Sequence, residues 1–176
     1  MDSMKTCSLC GETKPISEFS RHGQMKDGRS YWCRECSNKR TKAYRGTPSG
    51  VYTSLKGRTK FRRKNTKRYR TYHDLIISRE DFIEWYENEP KICAYCDLPE
   101  ELLNQFFDSY NYIAERLTVD CKDNEVGYSS GNLVLACKRC NSIKSDLFSF
   151  EEMREIGQKF IKPKWVEKIQ GSVNDG

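Results

Sequence analysis

In a chain of 176 residues, 36% hydrophobic and 32% charged with a formal charge of +6, apolar burial alone cannot build a large core, so another source of stability is required. The opening MDSMKTCSLC lacks the apolar stretch of a secretory signal, and no segment approaches the roughly 18 apolar residues of a membrane span. The expectation is an intracellular protein, not secreted, with no membrane partner and with reduced thiols.

Cysteine supplies the missing stability. Eight of the nine cysteines form four Cys-x-x-Cys pairs: Cys7/Cys10, Cys33/Cys36, Cys93/Cys96 and Cys137/Cys140. That spacing suits tetrahedral thiolate coordination rather than a disulfide framework, and it predicts two structural zinc ions. Cys121 is left over. Eight thiolates and two Zn²⁺ bring the net charge to roughly +2, so its distribution says more than its sum. Between Cys36 and Asp74 there is no acid among thirteen cations: Lys39, Arg40, Lys42, Arg45, Lys56, Arg58, Lys60, Arg62, Arg63, Lys64, Lys67, Arg68 and Arg70. Interleaved with Tyr44, Tyr52, Phe61, Tyr69 and Tyr72, they point to contact with a phosphate backbone.

Taken in chain order, residues 7–36 read as a zinc-ribbon or treble-clef-like module. Gly11 allows the tight turn after the second ligand, Phe19 packs on the site, and Asp27-Gly28 marks a hairpin turn before Ser30-Tyr-Trp32. A helix over Asn38–Arg45 stops at Gly46-Thr-Pro48-Ser-Gly50, and a short basic amphipathic helix is expected over Val51–Lys64. Ser78-Arg-Glu-Asp81 has the form of an N-cap opening a helix through Phe82, Ile83, Trp85 and Tyr86 that ends before Pro90. Leu98–Arg116 is expected to be helical in part. Leu117–Cys121 and Gly131–Ala136 read as strands around the turn Asp123–Tyr128, and a helix is expected from Asn141. Ser149-Phe-Glu-Glu152 is a capping box for a last helix in which Met153, Ile156, Phe160 and Ile161 recur at helical spacing, followed by a disordered tail over 171–176.

The order Cys93-Ala-Tyr-Cys96, Leu117-Thr-Val-Asp120-Cys121, Gly131-Asn132-Leu-Val-Leu and Cys137-Lys-Arg-Cys140-Asn141-Ser-Ile-Lys144 resembles the zinc-containing HNH (ββα-metal, His-Me finger) endonucleases. The preceding zinc module and basic segment resemble phage and bacterial members, including rare-cutting HNH restriction endonucleases of the PacI kind. The resemblance implies a small α+β fold. Its expected parts are an N-terminal zinc module over 1–46, a basic helical linker over 47–90, and a zinc-stapled ββα-metal core with its C-terminal helix over 91–170.

The resemblance further implies that Asp120 and Asn141 hold a catalytic Mg²⁺ or Mn²⁺, that Asn132 braces the loop, and that Lys144 contacts phosphate. Phosphodiester cleavage needs such a hard cation on oxygen ligands. Most members place a general-base His directly after the Asp, and here that residue is Cys121. Candidate substitutes are Cys121 as a thiolate, Tyr128, His73 or a metal-bound hydroxide. His22 lies inside the first zinc module. The expected partner is DNA, double-stranded, gripped by Arg58, Lys60, Arg62, Arg63, Lys64, Lys67, Arg68 and Arg70. A homodimer is expected if symmetric duplex sites are cut. The alternatives are an inactive, nuclease-derived nucleic-acid-binding module and a zinc-ribbon adaptor.

Overall fold

In the computed structural model the described residues are 3–65, 74–106 and 116–174. They form two compact units, Met1–Ser54 and Leu55–Gly176, built from helices and three two-stranded antiparallel sheets. The architecture is therefore small α+β.

In the first unit, β1 (Met4–Thr6) pairs with β2 (Thr13–Pro15) across the Cys7–Gly11 turn, where Gly11 adopts φ +76°. β3 (Phe19–Arg21) pairs with β4 (Arg29–Cys33). Their connection turns at Asp27-Gly28, with Gly28 at φ +68° and the Arg29 amide donating to Asp27 Oδ1 at 3.0 Å. Phe19 is buried with Cys7 and Cys33, and Trp32 and Cys36 pack against them. Cysteines thus fill the place of an apolar core.

Helix α1 spans Arg34–Gly46, beginning earlier than Asn38. Cys33 ends β4 and takes the N-cap position in extended conformation, so Cys36 falls in the first turn. The ligand pair is itself the strand-to-helix junction, which aims its two sulfurs at one point. The break at Gly46–Gly50 shrinks to a corner at Thr47, because α2 (Pro48–Asn65) starts at Pro48 rather than Val51. Proline suits the first helical position, where its missing N–H costs nothing. A Cβ on Gly50 would lie 1.9 Å from the Tyr44 carbonyl oxygen, so only glycine permits this close approach of the two helices.

The second unit is organised by one hairpin. β5 (Thr118–Cys121) pairs with β6 (Leu133–Ala136) in the register Thr118↔Ala136 to Cys121↔Leu133. Every residue of β6 is buried. On one side, the Ala94 amide donates to the Leu135 carbonyl at 2.8 Å, joining the Cys93–Cys96 turn to the hairpin edge. Helix α3 (Arg79–Asn88) is capped by Ser78, whose Oγ accepts the Asp81 amide at 3.1 Å, and it buries Phe82 and Tyr86. Leu98–Arg116 contributes a 3₁₀ turn (Glu100–Leu102) and the short α4 (Leu103–Phe106).

Helix α5 is Lys138–Lys144, three residues earlier than the expected start at Asn141. Cys137 is its N-cap, with its Sγ accepting the Cys140 amide at 3.4 Å. Sulfur here replaces the oxygen of an ordinary cap. As in α1, the second cysteine pair opens a helix. Helix α6 (Phe150–Ile156) carries the full Ser149/Glu152 capping box. A π-helical turn (Gly157–Ile161) then leads into α7 (Lys162–Asn174). The inserted residue of that turn rotates the buried stripe to Met153, Gly157 and Ile161, so Phe160 is left 62% exposed. Residues 171–174, expected as disordered tail, continue the helix.

Candidate active site

Thr118 and Asp120 are two apart on β5 and share one face, while Val119 and Cys121 take the other. Asn141 and Lys144, three apart on α5, likewise share a helix face. The two faces meet. Asn141 Nδ2 donates to Thr118 Oγ1 at 3.0 Å, and Lys144 Nζ lies 3.9 Å from Asp120 Oδ2. The hairpin and the helix that follows it thus bring the carboxylate of Asp120 and the carboxamide of Asn141 onto one interface. Asn141 sits in the fourth position of α5, so it is not the helix cap that an isolated Asn before a helix would suggest.

Asp120 is only 8% exposed, and its carboxylate is well served. Oδ2 accepts the Tyr95 hydroxyl at 2.8 Å, and Oδ1 accepts the Cys121 amide at 2.9 Å. In sequence Tyr95 has the look of a spacer within Cys93-Ala-Tyr-Cys96. Its ring is fully buried, tilted against Phe150 at a centroid distance of 5.5 Å. Burial, and then the neighbouring Asp120 carboxylate, hold its phenol well above the ordinary range, so it is a neutral donor. The signal in the sequence was a large aromatic between two metal ligands, where a small or polar residue would do.

Lys144 departs from the expected phosphate contact. Its side chain is completely buried, and Nζ donates to Asn124 Oδ1 at 2.9 Å. Four CH₂ groups turned inward along α5 carry the ammonium to Asp120 instead of to solvent. Asn132 spans the loop between the strands: Nδ2 donates to the carbonyls of Asp123 (2.8 Å) and Gly127 (2.6 Å), and Oδ1 accepts the Asp123 amide at 2.9 Å. Gly127 has φ +74°, and a Cβ there would meet the Asp74 carbonyl oxygen at 2.7 Å. The loop is thus pinned from within and closely approached from outside.

Among the candidate bases, Cys121 is fully buried on the strand face opposite Asp120. Burial, then the Asp120 charge, push its thiol up to about 12, which keeps it neutral at physiological pH. Tyr128 is half-buried; its backbone receives the Ile76 and Ile77 amides at 3.0 and 2.9 Å, tying residues 74–77 to the loop. His22 is exposed near the hairpin turn of the first unit, its amide donating to the Gly28 carbonyl at 2.8 Å. His73, Lys67, Arg68 and Arg70 lie outside the described residues. Lys56 and Arg58 are exposed on α2, and Lys60, Arg62, Arg63 and Lys64 follow on the same helix.

Among the described residues, two sets of four sulfurs have the spacing of a metal site, Cys7/Cys10/Cys33/Cys36 and Cys93/Cys96/Cys137/Cys140, each within 4.8 Å. A Zn–S bond of about 2.3 Å sets a tetrahedral S···S edge near 3.8 Å, and Cys96 and Cys137 sulfurs stand 3.9 Å apart. Both groups therefore fit zinc. In the first, burial alone would raise the Cys7 thiol, but amides directed at its sulfur from Cys10, Cys33 and Leu9 draw it down to about 6, favouring the thiolate ligand. In the second, Asp97 follows Cys96 as Gly11 follows Cys10, and it adopts φ +57°. Its carboxylate is held by Arg154 (2.6 Å) and Lys162 (2.7 Å). Arg154 also donates to the Ala94 carbonyl, Gln158 to that of Tyr95 and Trp165 to that of Cys96. The C-terminal helices thereby strap the metal turn that carries Tyr95. The carboxylate of Asp120 and the amide oxygen of Asn141 are hard donors of another kind, suited to Mg²⁺ or Mn²⁺. The ammonium 3.9 Å from Asp120 marks the position as one that holds positive charge.

No protein-family model matches the chain, and no curated protein does. Among solved structures it is similar to the rare-cutting HNH restriction endonuclease PacI, described for an extraordinary mechanism of DNA perturbation. The match covers 94% of this chain and 98% of that one, with 24% sequence identity and a TM-score of 0.54. This chain has the fold of an HNH restriction endonuclease.

Proposed function

We propose that the protein is a divalent-metal-dependent DNA endonuclease of HNH type that hydrolyses phosphodiester bonds in a restriction- or homing-like role. The observation that supports this reading is the packing of β5 against α5, in which Asn141 donates to Thr118, two residues from Asp120, while Asp120 itself accepts the Tyr95 hydroxyl and lies near the buried Lys144 ammonium. The full-length likeness to a DNA-cutting enzyme supports it.

A Mg²⁺ or Mn²⁺ held by Asp120 and Asn141 would supply charge stabilisation at the scissile phosphate and the leaving oxygen. The chain's own residues do the rest. Tyr95 fixes one oxygen of Asp120 through its hydroxyl. Asn132 keeps the loop at the site rigid through three hydrogen bonds. Asn141 is oriented by its donation to Thr118, which directs the amide oxygen away from that hydroxyl. The neutral, buried Cys121 is a poor proton acceptor, which leaves Tyr128 and His73 as this chain's own candidate bases for the attacking water. The basic run, including Arg58, Lys60, Arg62, Arg63 and Lys64, contacts the phosphate backbone of duplex DNA, so affinity falls steeply with salt. Cutting both strands of a symmetric site requires a homodimer.

The test is nicking of supercoiled plasmid in Mg²⁺ or Mn²⁺ by the zinc-loaded protein and by Asp120→Ala and Asn141→Ala. Wild-type nicking lost in both variants is expected. No nicking by the wild type, or nicking unchanged in both variants, refutes the reading. The second reading, a nuclease-derived nucleic-acid binder, is favoured by the buried Cys121 in the base position. It expects salt-sensitive DNA binding with no cleavage.

A further inference from the structure

A fully buried ammonium is costly to hold unless it is paired and hydrogen-bonded. Lys144 is 0% exposed, yet the ion-pair distance to Asp120 Oδ2 is a loose 3.9 Å. Its close contact is elsewhere, with Asn124 Oδ1 at 2.9 Å. Asn124 is itself fixed, because its Nδ2 donates to the Ser145 carbonyl at 2.9 Å. Ser145 is the C-cap of α5 and holds an unusual φ of +47°. The Asn124 carboxamide thus bridges the β5–β6 loop to the end of α5, and its oxygen holds the ammonium just short of direct contact with Asp120. Meanwhile Asp120 Oδ2 receives the Tyr95 hydroxyl at 2.8 Å.

We infer that Lys144 is a positioning residue that tunes the cation affinity of the Asp120 site, an internal cation held at a set distance by Asn124. The inference rests on the oxygen-site reading above. The fixed charge compensates the buried carboxylate before a divalent ion arrives, and it repels that ion once it is there. Held back by Asn124, the ammonium lowers affinity without occupying the carboxylate. Released from Asn124, it closes on Asp120 and competes directly.

Two substitutions therefore move cation affinity in opposite directions. Lys144→Met removes the charge and keeps the buried volume, so it tightens binding, by about tenfold for one unit charge at this range in a partly screened site. Asn124→Ala keeps the charge and removes its anchor, so it weakens binding, by severalfold. A merely structural role would move both the same way, through a loosened site. The assay is Mn²⁺ binding followed by electron paramagnetic resonance on the full zinc-loaded chain, with Asp120→Ala as the reference that abolishes the site and far-ultraviolet circular dichroism confirming that each variant folds. If Lys144→Met does not fold, Lys144→Gln replaces it.

Tightening in the Lys144 variant together with weakening in Asn124→Ala establishes the inference. A shift of the same sign in both, or no shift in the Lys144 variant, overturns it while leaving the oxygen site standing. Wild-type Mn²⁺ binding that is absent, or unchanged by Asp120→Ala, overturns the oxygen-site reading and this inference with it.

Discussion

Asn132 offers the sharpest quantitative test of how the site is held. In Asn132→Ala the Asp123 amide and the carbonyls of Asp123 and Gly127 lose their side-chain partner. The side chain is 8% exposed, so water replaces those contacts only where the loop opens. A neutral hydrogen bond is worth about 1 kcal/mol net and an orphaned buried group costs about 1–3 kcal/mol, which places the loss near 3 kcal/mol. Asn132→Asp should be no better, because it keeps the acceptor for Asp123 N–H and sets a carboxylate against two carbonyls. Urea unfolding of the zinc-loaded protein gives the total, and amide exchange over 123–127 localises it. A loss below about 1 kcal/mol in Asn132→Ala, or near-wild-type stability in Asn132→Asp, would refute the view that this one side chain pins the loop.

Removing zinc should unfold each cysteine cluster, since binding energies of about 10–16 kcal/mol in such modules are folding energy. Metal analysis should give two zinc ions per chain, and secondary structure retained after complete chelation would count against their structural role. Asp97→Asn should cost about 1 kcal/mol by freeing Arg154 and Lys162. Burial opposes ionisation of Asp97, but Lys162 and Arg154 hold its carboxyl below the usual range. Its contribution is therefore complete above the unfolded-state value, about 4, and is lost as pH falls through the lower folded value. Thermal melts of Asp97→Asn and wild type should converge on acidification below that range, and a constant gap would sink the assignment.

Gly157→Ala should destabilise by about 1–3 kcal/mol, because the new methyl would stand 2.4 Å from the Tyr95 carbonyl oxygen. Unchanged stability in denaturant would mean that α6 and the π turn do not press on the metal turn. Cys121→Ala should leave nicking within about threefold of wild type, as expected for a packed small side chain. A loss of about a hundredfold, the scale of a missing general base, would restore Cys121 to the chemistry.

The sequence alone determined what chemistry is local in the chain. Four Cys-x-x-Cys pairs announced two metal sites because ligand spacing is a short-range property. Ser78 and the Ser149/Glu152 box marked helix starts because capping bonds span only three residues. The alternation around Asp120 marked a strand, and its order relative to Asn132 and Asn141 carried the resemblance. Element boundaries slipped where a cysteine takes two places, as at Cys33 and Cys137, which each belong to a four-sulfur cluster that fits a metal and also stand at a helix N-cap. The helical spacing of Met153, Ile156, Phe160 and Ile161 does not give the buried stripe of the last helix, because a π turn shifts register without any local sign.

What tertiary structure decided is which side chains meet. Tyr95 and Asp120 are 25 residues apart, and Lys144 and Asn124 are 20 apart; no periodicity links them. Lys144 looked like a surface cation because nothing in a single sequence says whether a four-carbon stem turns inward. Cys121 looked available for catalysis until the hairpin register turned it away from Asp120 into the core. Composition and spacing fix which groups a chain possesses and how neighbours along it are disposed. Burial and approach distance, which set the protonation and charge of those groups, arise only when distant segments pack together.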